Sequence, residues 1–426
     1  MRIKSFFIFI LFFIIAVFSY QIFSPLIGQK ISSNILFYSI GKLIGLIGFL
    51  FLSILIVSGD TARFFDRFFG MDKIIKFQRK FALLTTIFVI AHPLFFILSD
   101  RSYLNYFIPD FAVLPLALGV VAFYIYLAVI ASSVLYKKIS HQMWQYIHIL
   151  TYILFFFSLY HALKTGSDTS NPLIKSMLGI LLIGIITGGI YRAYYKIRHI
   201  RFKCYVKEIK WETYNVFTLK LEPNKKMLFK PGQFCFLRLN KDKLYARHPF
   251  TISSSPDENT LNFTMKITGR FTKIASQLKK GEEVIVDGPF GIFTMKNNEN
   301  LVFIAGGVGI TPFMSMIKNQ LNSNKYQNTA LLYCAKTKKD IIFKDELNKI
   351  KVDWFKKIYI LSKEKSSDKE YKHGRISEEI IKKCAKDVKN SLFYICGPEP
   401  MKNNTIKILK DMGVKKENIK IESFFW

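Results

Sequence analysis

Cysteine is scarce: five in 426 residues, Cys204, Cys235, Cys334, Cys384 and Cys396, with no paired metal-type spacing. That excludes a disulfide framework and a zinc or iron–sulfur centre, and fits a reducing compartment. Acidic residues are also few, 30 against 61 Lys and Arg, leaving a formal net charge of +31. The surplus could suggest nucleic acid, but the lysines lack the aromatic interleaving of a stacking groove. Nucleic acid is therefore not an expected partner, and attraction to anionic lipid is the simpler reading.

Charge is scarcest in residues 1–200, which hold six long apolar runs near 5–23, 35–57, 77–98, 111–135, 143–163 and 173–195. Each is long enough to cross a hydrocarbon core, which takes about 20 helical residues. No small-x-small cleavage site follows the first run, so it reads as an anchor instead of a signal peptide. The loop near 58–80 carries Arg63, Arg67, Lys73, Lys76, Arg79 and Lys80, and the turn near 136–142 carries Lys137 and Lys138. The alternate loops carry only Lys30, Arg101 and Lys164. By the positive-inside rule the basic loops are cytoplasmic, which places both termini inside an inner cell membrane.

Four of the seven histidines lie in or beside these runs: His92 in the third, and His141, His148 and His161 in the fifth. Ionisable groups at such depth mark function more often than packing. His92 and His161 fall at matching depth near the outer ends of their segments, where facing imidazoles can clamp a haem iron. Lys42 lies at the same level, either snorkelling to the interface or pairing with an anion there.

Six helices with histidines on the third and fifth resemble the ferric reductase and NADPH oxidase superfamily. The resemblance implies two stacked b-type haems, with His92, His161 and His148 among the metal ligands. Fourteen residues before His92 the family shows histidine, and this chain has Gln78. A glutamine amide is a poor iron ligand, and fourteen residues span about 21 Å of helix, too far for direct transfer from a cytoplasmic flavin to an outer haem. The bridge is a five-coordinate haem on His148, a haem using His141, or a deeply inserted flavin. Thirteen residues leave His148 and His161 off a common helix face, so a tightened or bent turn is expected between them.

Beyond about 202 the pattern changes to short strands, "KCYVKEIKW", "VFTLKLEP", "QFCFLRLN", "LNFTMKIT" and "EEVIVDGPFG", predicting a small antiparallel barrel. From about 298 strand–turn–helix repeats predict a parallel doubly wound sheet. The fold class is thus a membrane α-helical six-helix bundle over 1–200, an antiparallel β-barrel over 201–297 and an α/β doubly wound domain over 298–426. In "AGGVGITP" Gly306, Gly307 and Gly309 permit a tight turn whose amides face an anion, with Thr311 and Pro312 opening a helix.

With "HPFT" at 248–251, "TGRFT" at 268–272, "GPFG" at 288–291 and "CGPEPM" at 396–401, that turn resembles the ferredoxin-NADP reductase family. The resemblance assigns His248, Pro249, Phe250 and Thr251 to FAD, Phe250 on the ring and Thr251 near its reactive nitrogen. Many relatives have arginine in place of His248, and histidine is similar to the oxidase branch. Lys266, Gly269, Arg270, Phe271 and Thr272 would serve the flavin, Arg270 and Thr272 at its pyrophosphate. Cys396, Gly397, Pro398 and Glu399 would lie beside the nicotinamide, with Cys396 at the hydride-donating carbon. Lys336, with Thr337 and Lys338, would read a 2′-phosphate, favouring NADPH over NADH. Phe424 in the terminal "IESFFW", or Trp426 as runner-up, would stack on the flavin.

The expected activity is electron transfer from cytoplasmic NAD(P)H through FAD and haem b to an external small-molecule acceptor, dioxygen giving superoxide. A ferric chelate, quinone or periplasmic partner with the same path, or a haem-binding sensory module, are the alternatives. Nothing in the sequence calls for a further protein.

Overall fold

The computed structural model describes residues 2–100, 106–136, 138–166, 170–197, 202–239, 247–297, 300–323, 326–385 and 387–422. It divides into two compact units, Met1–Phe65 with Lys73–Arg198, and Asp66–Asp72 with His199–Trp426.

The first unit is helical. Six helices are long and apolar enough to cross a membrane: α1 (Arg2–Phe23), α2 (Ser33–Asp60), α4 (Met71–Asp100), α5 (Leu114–Val134), α6 (His141–Thr165) and α7 (Pro172–Ile197). A short amphipathic α3 (Ala62–Phe69) follows α2. Side-chain oxygens of Ser32 and Ser140 accept from Ile35 and Met143 and so cap α2 and α6, a role worth about 1 kcal/mol each. Phe18, Phe49, Leu50, Phe51, Leu154, Phe155 and Ile174 form the centre of the bundle core. The tightened turn expected between His148 and His161 is absent, since α6 is a single uninterrupted α-helix.

In the second unit β1 (Phe202–Thr213), β2 (Val216–Pro223), β3 (Phe234–Leu239), β4 (His248–Thr251), β5 (Leu261–Lys266) and β6 (Glu283–Phe290) make a curled antiparallel sheet. Its order is β4-β3-β6-β1-β2-β5, and a bridge from Ile252 to Phe263 links its two ends. Cys235, Leu237 and Leu239 alternate inward along β3, leaving Phe234, Phe236 and Arg238 on the other face. The short α8 (Arg270–Ala275) lies between β5 and β6.

The remaining strands are all parallel: β7 (Asn300–Gly306), β8 (Asn328–Ala335), β9 (Phe355–Leu361), β10 (Tyr371–His373), β11 (Leu392–Cys396) and β12 (Ile419–Glu422), in the order β10-β9-β8-β7-β11-β12. Helices α9 (Thr311–Asn322), α10 (Lys344–Lys349), α11 (Glu378–Cys384) and α12 (Glu399–Asp411) complete the domain. Strand β7 is built before both neighbours, so the order reverses between β7 and β11, the switch point where open α/β sheets bind ligands.

Barrel and α/β domain are tied together inside this unit. Glu346 of α10 accepts from Lys210 of β1 and Lys318 of α9, each at 3.0 Å, and Ser315 donates to the Ser254 carbonyl at 2.6 Å. Burial raises the Glu346 pKa, but Lys318 and Lys210 outweigh it and hold the carboxyl below its ordinary value. A depressed carboxyl stabilises above the ordinary carboxylate range, and the contribution is lost as pH falls through the lowered value.

Candidate functional site

Two groups of side chains are candidates for holding redox cofactors, one in each unit. In the helical unit His92 of α4 and His161 of α6 face each other with ring centroids 6.3 Å apart and planes at 83°. A metal–imidazole bond is about 2 Å and the ring centre lies about 1 Å beyond the nitrogen, so two imidazoles on one ion hold centroids about 6 Å apart. The observed spacing therefore fits an iron between them.

Both rings sit in the same kind of cradle. His92 Nδ1 lies 2.9 Å from the Gly41 carbonyl oxygen, and His161 Nδ1 lies 3.0 Å from that of Pro115. A carbonyl only accepts, so each Nδ1 carries the proton and each Nε2 keeps a lone pair for a metal. One turn further on, a glycine makes room for each ring. A Cβ on Gly45 would stand 2.5 Å from the His92 ring, and one on Gly119 would stand 2.6 Å from that of His161. No cluster of three or more His, Cys, Asp or Glu able to hold a metal occurs among the described residues. Two imidazoles alone suit a metal that brings its other ligands in a macrocycle.

His148 is placed differently. Its Nδ1 donates to the Trp144 carbonyl at 2.9 Å, its Nε2 is 3.2 Å from Ser133 Oγ, and its ring centre lies 3.9 Å from that of Trp144, the planes tilted by 33°. Both nitrogens thus bond to protein atoms, and no contact with a second imidazole is found among the described residues. Gln78 instead donates to Ser58 Oγ at 3.2 Å. Close by, Tyr152 and Arg192 both donate to Asp60 Oδ1, at 2.7 and 3.1 Å, while buried Oδ2 has no partner among the described residues. A belt of polar contacts therefore joins α2, α4, α6 and α7 in the region where the family resemblance expects an inner haem. The Lys42 ammonium lies 5.3 Å from the Tyr38 ring centre, one turn from Gly45. The side chain of His141 lies outside the described residues.

In the second unit β4 carries the "HPFT" motif. His248 lies against Phe271 with ring centres 4.2 Å apart and planes tilted by 35°, Phe250 stacks on Phe271 at 5.6 Å, Pro249 pairs across to Phe236, and Thr251 is buried. Arg270 opens α8, next to Gly269, and Lys266 is exposed at the end of β5. The Thr272 hydroxyl accepts from the Thr268 and Gly269 amides, at 3.0 and 3.2 Å, and donates to the Gly269 carbonyl at 3.1 Å. One hydroxyl has one proton and two lone pairs, so Thr272 is fully used in shaping the turn that presents Arg270.

The glycine turn and the "CGPEPM" turn meet at the switch point. A Cβ on Gly309 would lie 2.3 Å from the Cys396 carbonyl oxygen, and one on Gly306 would lie 2.7 Å from Met401 Sδ and 2.8 Å from Pro398. Gly307, at φ +53°, takes the left-handed conformation, and buried Tyr333 donates to its carbonyl at 3.1 Å. Thr311 donates to the Val308 carbonyl, and Pro312 occupies the first turn of α9. Cys396 is fully buried, and burial first, then Glu422, raises its thiol well above the ordinary range, against a smaller opposing effect of Lys402. A protonated thiol is no nucleophile. Lys336 is exposed beyond β8, Thr337 is bonded to Asp340, and Lys338 lies over Tyr371. Phe424 and Trp426 lie outside the described residues.

Residues 44–159 match the family described as ferric reductase like transmembrane component, 201–294 the FAD-binding domain, and 303–407 the oxidoreductase NAD-binding domain. The chain is an oxidoreductase. It combines a ferric reductase-like transmembrane component with FAD- and NAD-binding domains. This oxidoreductase is 28% identical over 221 residues to sulfhydrogenase 2 subunit gamma of Pyrococcus furiosus, covering 48% of this chain and 76% of that protein. It is 30% identical over 225 residues to the glycine betaine monooxygenase reductase subunit of Pseudomonas aeruginosa, covering 50% of this chain and 61% of that protein. A ferredoxin NADP+ reductase from Neisseria gonorrhoeae solved with FAD and NADP superposes with a TM-score of 0.47 at 19% identity, covering 53% of this chain and 99% of that one.

The cradle glycines, the Asp60 belt and Lys402 are absent from the sequence reading. For the first there was a signal, since Gly41, Gly45 and Gly48 recur on one face of an apolar helix, a pattern of close approach.

Proposed function

We propose that this oxidoreductase takes hydride from NAD(P)H at the β7–β11 crevice and passes single electrons through FAD to a haem b held by His92 and His161. The acceptor lies on the far side of the membrane, with dioxygen giving superoxide. The observation that supports the haem most is the matched cradle, with each Nδ1 on a carbonyl and each ring against a glycine.

When bound, FAD accepts electrons in pairs and gives them singly, and haem takes them one at a time. The chain's own residues orient and exclude. Phe250 and His248 offer the flavin ring an aromatic wall, Arg270 a cation for its diphosphate, and Gly307 and Gly309 a close backbone approach for the coenzyme. The carbonyls of Gly41 and Pro115 fix the imidazole tautomers. The basic loops between α2 and α4 and between α5 and α6 support a cytoplasmic location for both termini and the reductase domains in this reading. His148 serves as a packing residue in this reading, so a single haem occupies the bundle.

Purified full-length protein supplied with FAD should oxidise NADPH with a tetrazolium dye as acceptor. Absence of that oxidation, with FAD bound, would overturn the reading.

A further inference from the structure

Lys402 breaks two local rules at once. It stands in the first turn of α12, where the partial positive charge of the helix terminus disfavours a cation. It is also only 2% exposed, and a buried ammonium is costly unless it is paired. A residue placed against local preference twice over is expected to do something that preference does not explain.

Its Nζ donates to Glu399 Oε1 at 2.6 Å and lies 3.4 Å from the carbonyl oxygen of Glu422, the last residue of β12. Glu422 pairs with Cys396 in the parallel register of β11 and β12. On the other side of the same turn Met401 packs against Gly306 and Gly397. One ammonium therefore joins a side chain at the start of α12 to the backbone at the end of β12, directly behind the Cys396–Gly397 turn. A methionine or leucine could fill the space but could make neither bond.

We propose that Lys402 is a positioning residue for the coenzyme, fixing the Glu399 carboxylate and the end of β12 so that the inner end of the crevice is formed before the nicotinamide ring arrives. This rests on the crevice being the NAD(P)H site. Ring pose is set at this end, whereas much of the coenzyme's affinity comes from its phosphates and adenosine, so the residue acts on the rate at saturation more than on binding.

The test uses full-length protein with FAD and the variants Lys402→Met and Lys402→Arg. At saturating NADPH without oxygen, Lys402→Met should bleach the flavin at least about tenfold more slowly while the NADP+ dissociation constant shifts less than about threefold. Maleimide labelling of the Cys396 thiol, read by mass spectrometry, should speed by about tenfold or more in the same variant, because the tie that keeps the turn closed is gone. Lys402→Arg, which keeps the charge and donors, should restore both readouts in large part. An unchanged bleaching rate or labelling rate in Lys402→Met, or equal defects in both variants, would contradict the proposal. If the unaltered protein fails to bleach at all, the coenzyme reading itself falls.

Discussion

His92→Ala and His161→Ala each lose the low-spin haem spectrum, and haem content falls well below one per chain, while FAD content stays at the wild-type level. In the proposed site each imidazole would supply one bond to the iron, and no cluster of three or more His, Cys, Asp or Glu occurs among the described residues. Removing either ring leaves an iron with one protein ligand, hence high-spin or lost. His148→Ala is the control and keeps the spectrum, because both of its ring nitrogens already bond to protein atoms. A wild-type spectrum in both of the first two variants would move the haem elsewhere.

Gly309→Ala abolishes NADPH-driven flavin reduction, by about a hundredfold or more, with both FAD and haem retained. The new Cβ would stand 2.3 Å from the Cys396 carbonyl oxygen, 2.6 Å from its carbonyl carbon and 2.9 Å from the Gly397 nitrogen. All three are backbone atoms, so no rotamer change relieves the overlap, and the turn carrying Cys396 must move away from the glycine loop. The proposed haem ligands His92 and His161 belong to the other compact unit, so the haem spectrum should be kept. Wild-type reduction kinetics in this variant would show that the two turns do not form the coenzyme site.

The architecture was legible because each part writes a different period into the chain. Six apolar runs give helices, and β-branched runs at short spacing give strands. The glycine turns were legible too, since only their residue types fit so tight a contact. "HPFT" was read as a flavin motif and not as a strand, because four residues with a proline carry too little alternation to predict β4, which depends on pairing to β3. The Thr272 hydroxyl bonds within its own turn, which only three-dimensional hydrogen bonding reveals. Lysines are dense around Lys336 and Lys338, whereas Lys402 is a single lysine among many whose burial no sequence pattern announces. The Asp60–Tyr152–Arg192 contact joins residues 92 and 132 positions apart, beyond the reach of any local signal.

The central claim is that electrons from NAD(P)H reach one haem through FAD, and an anaerobic titration of the purified full-length protein with NADPH tests it directly. FAD takes two electrons and one haem takes one, so the flavin and haem bands should both reach their reduced end points at about 1.5 equivalents of NADPH. A haem band that stays oxidised after the flavin has bleached, or an end point at about two equivalents with two low-spin haems, would contradict the account.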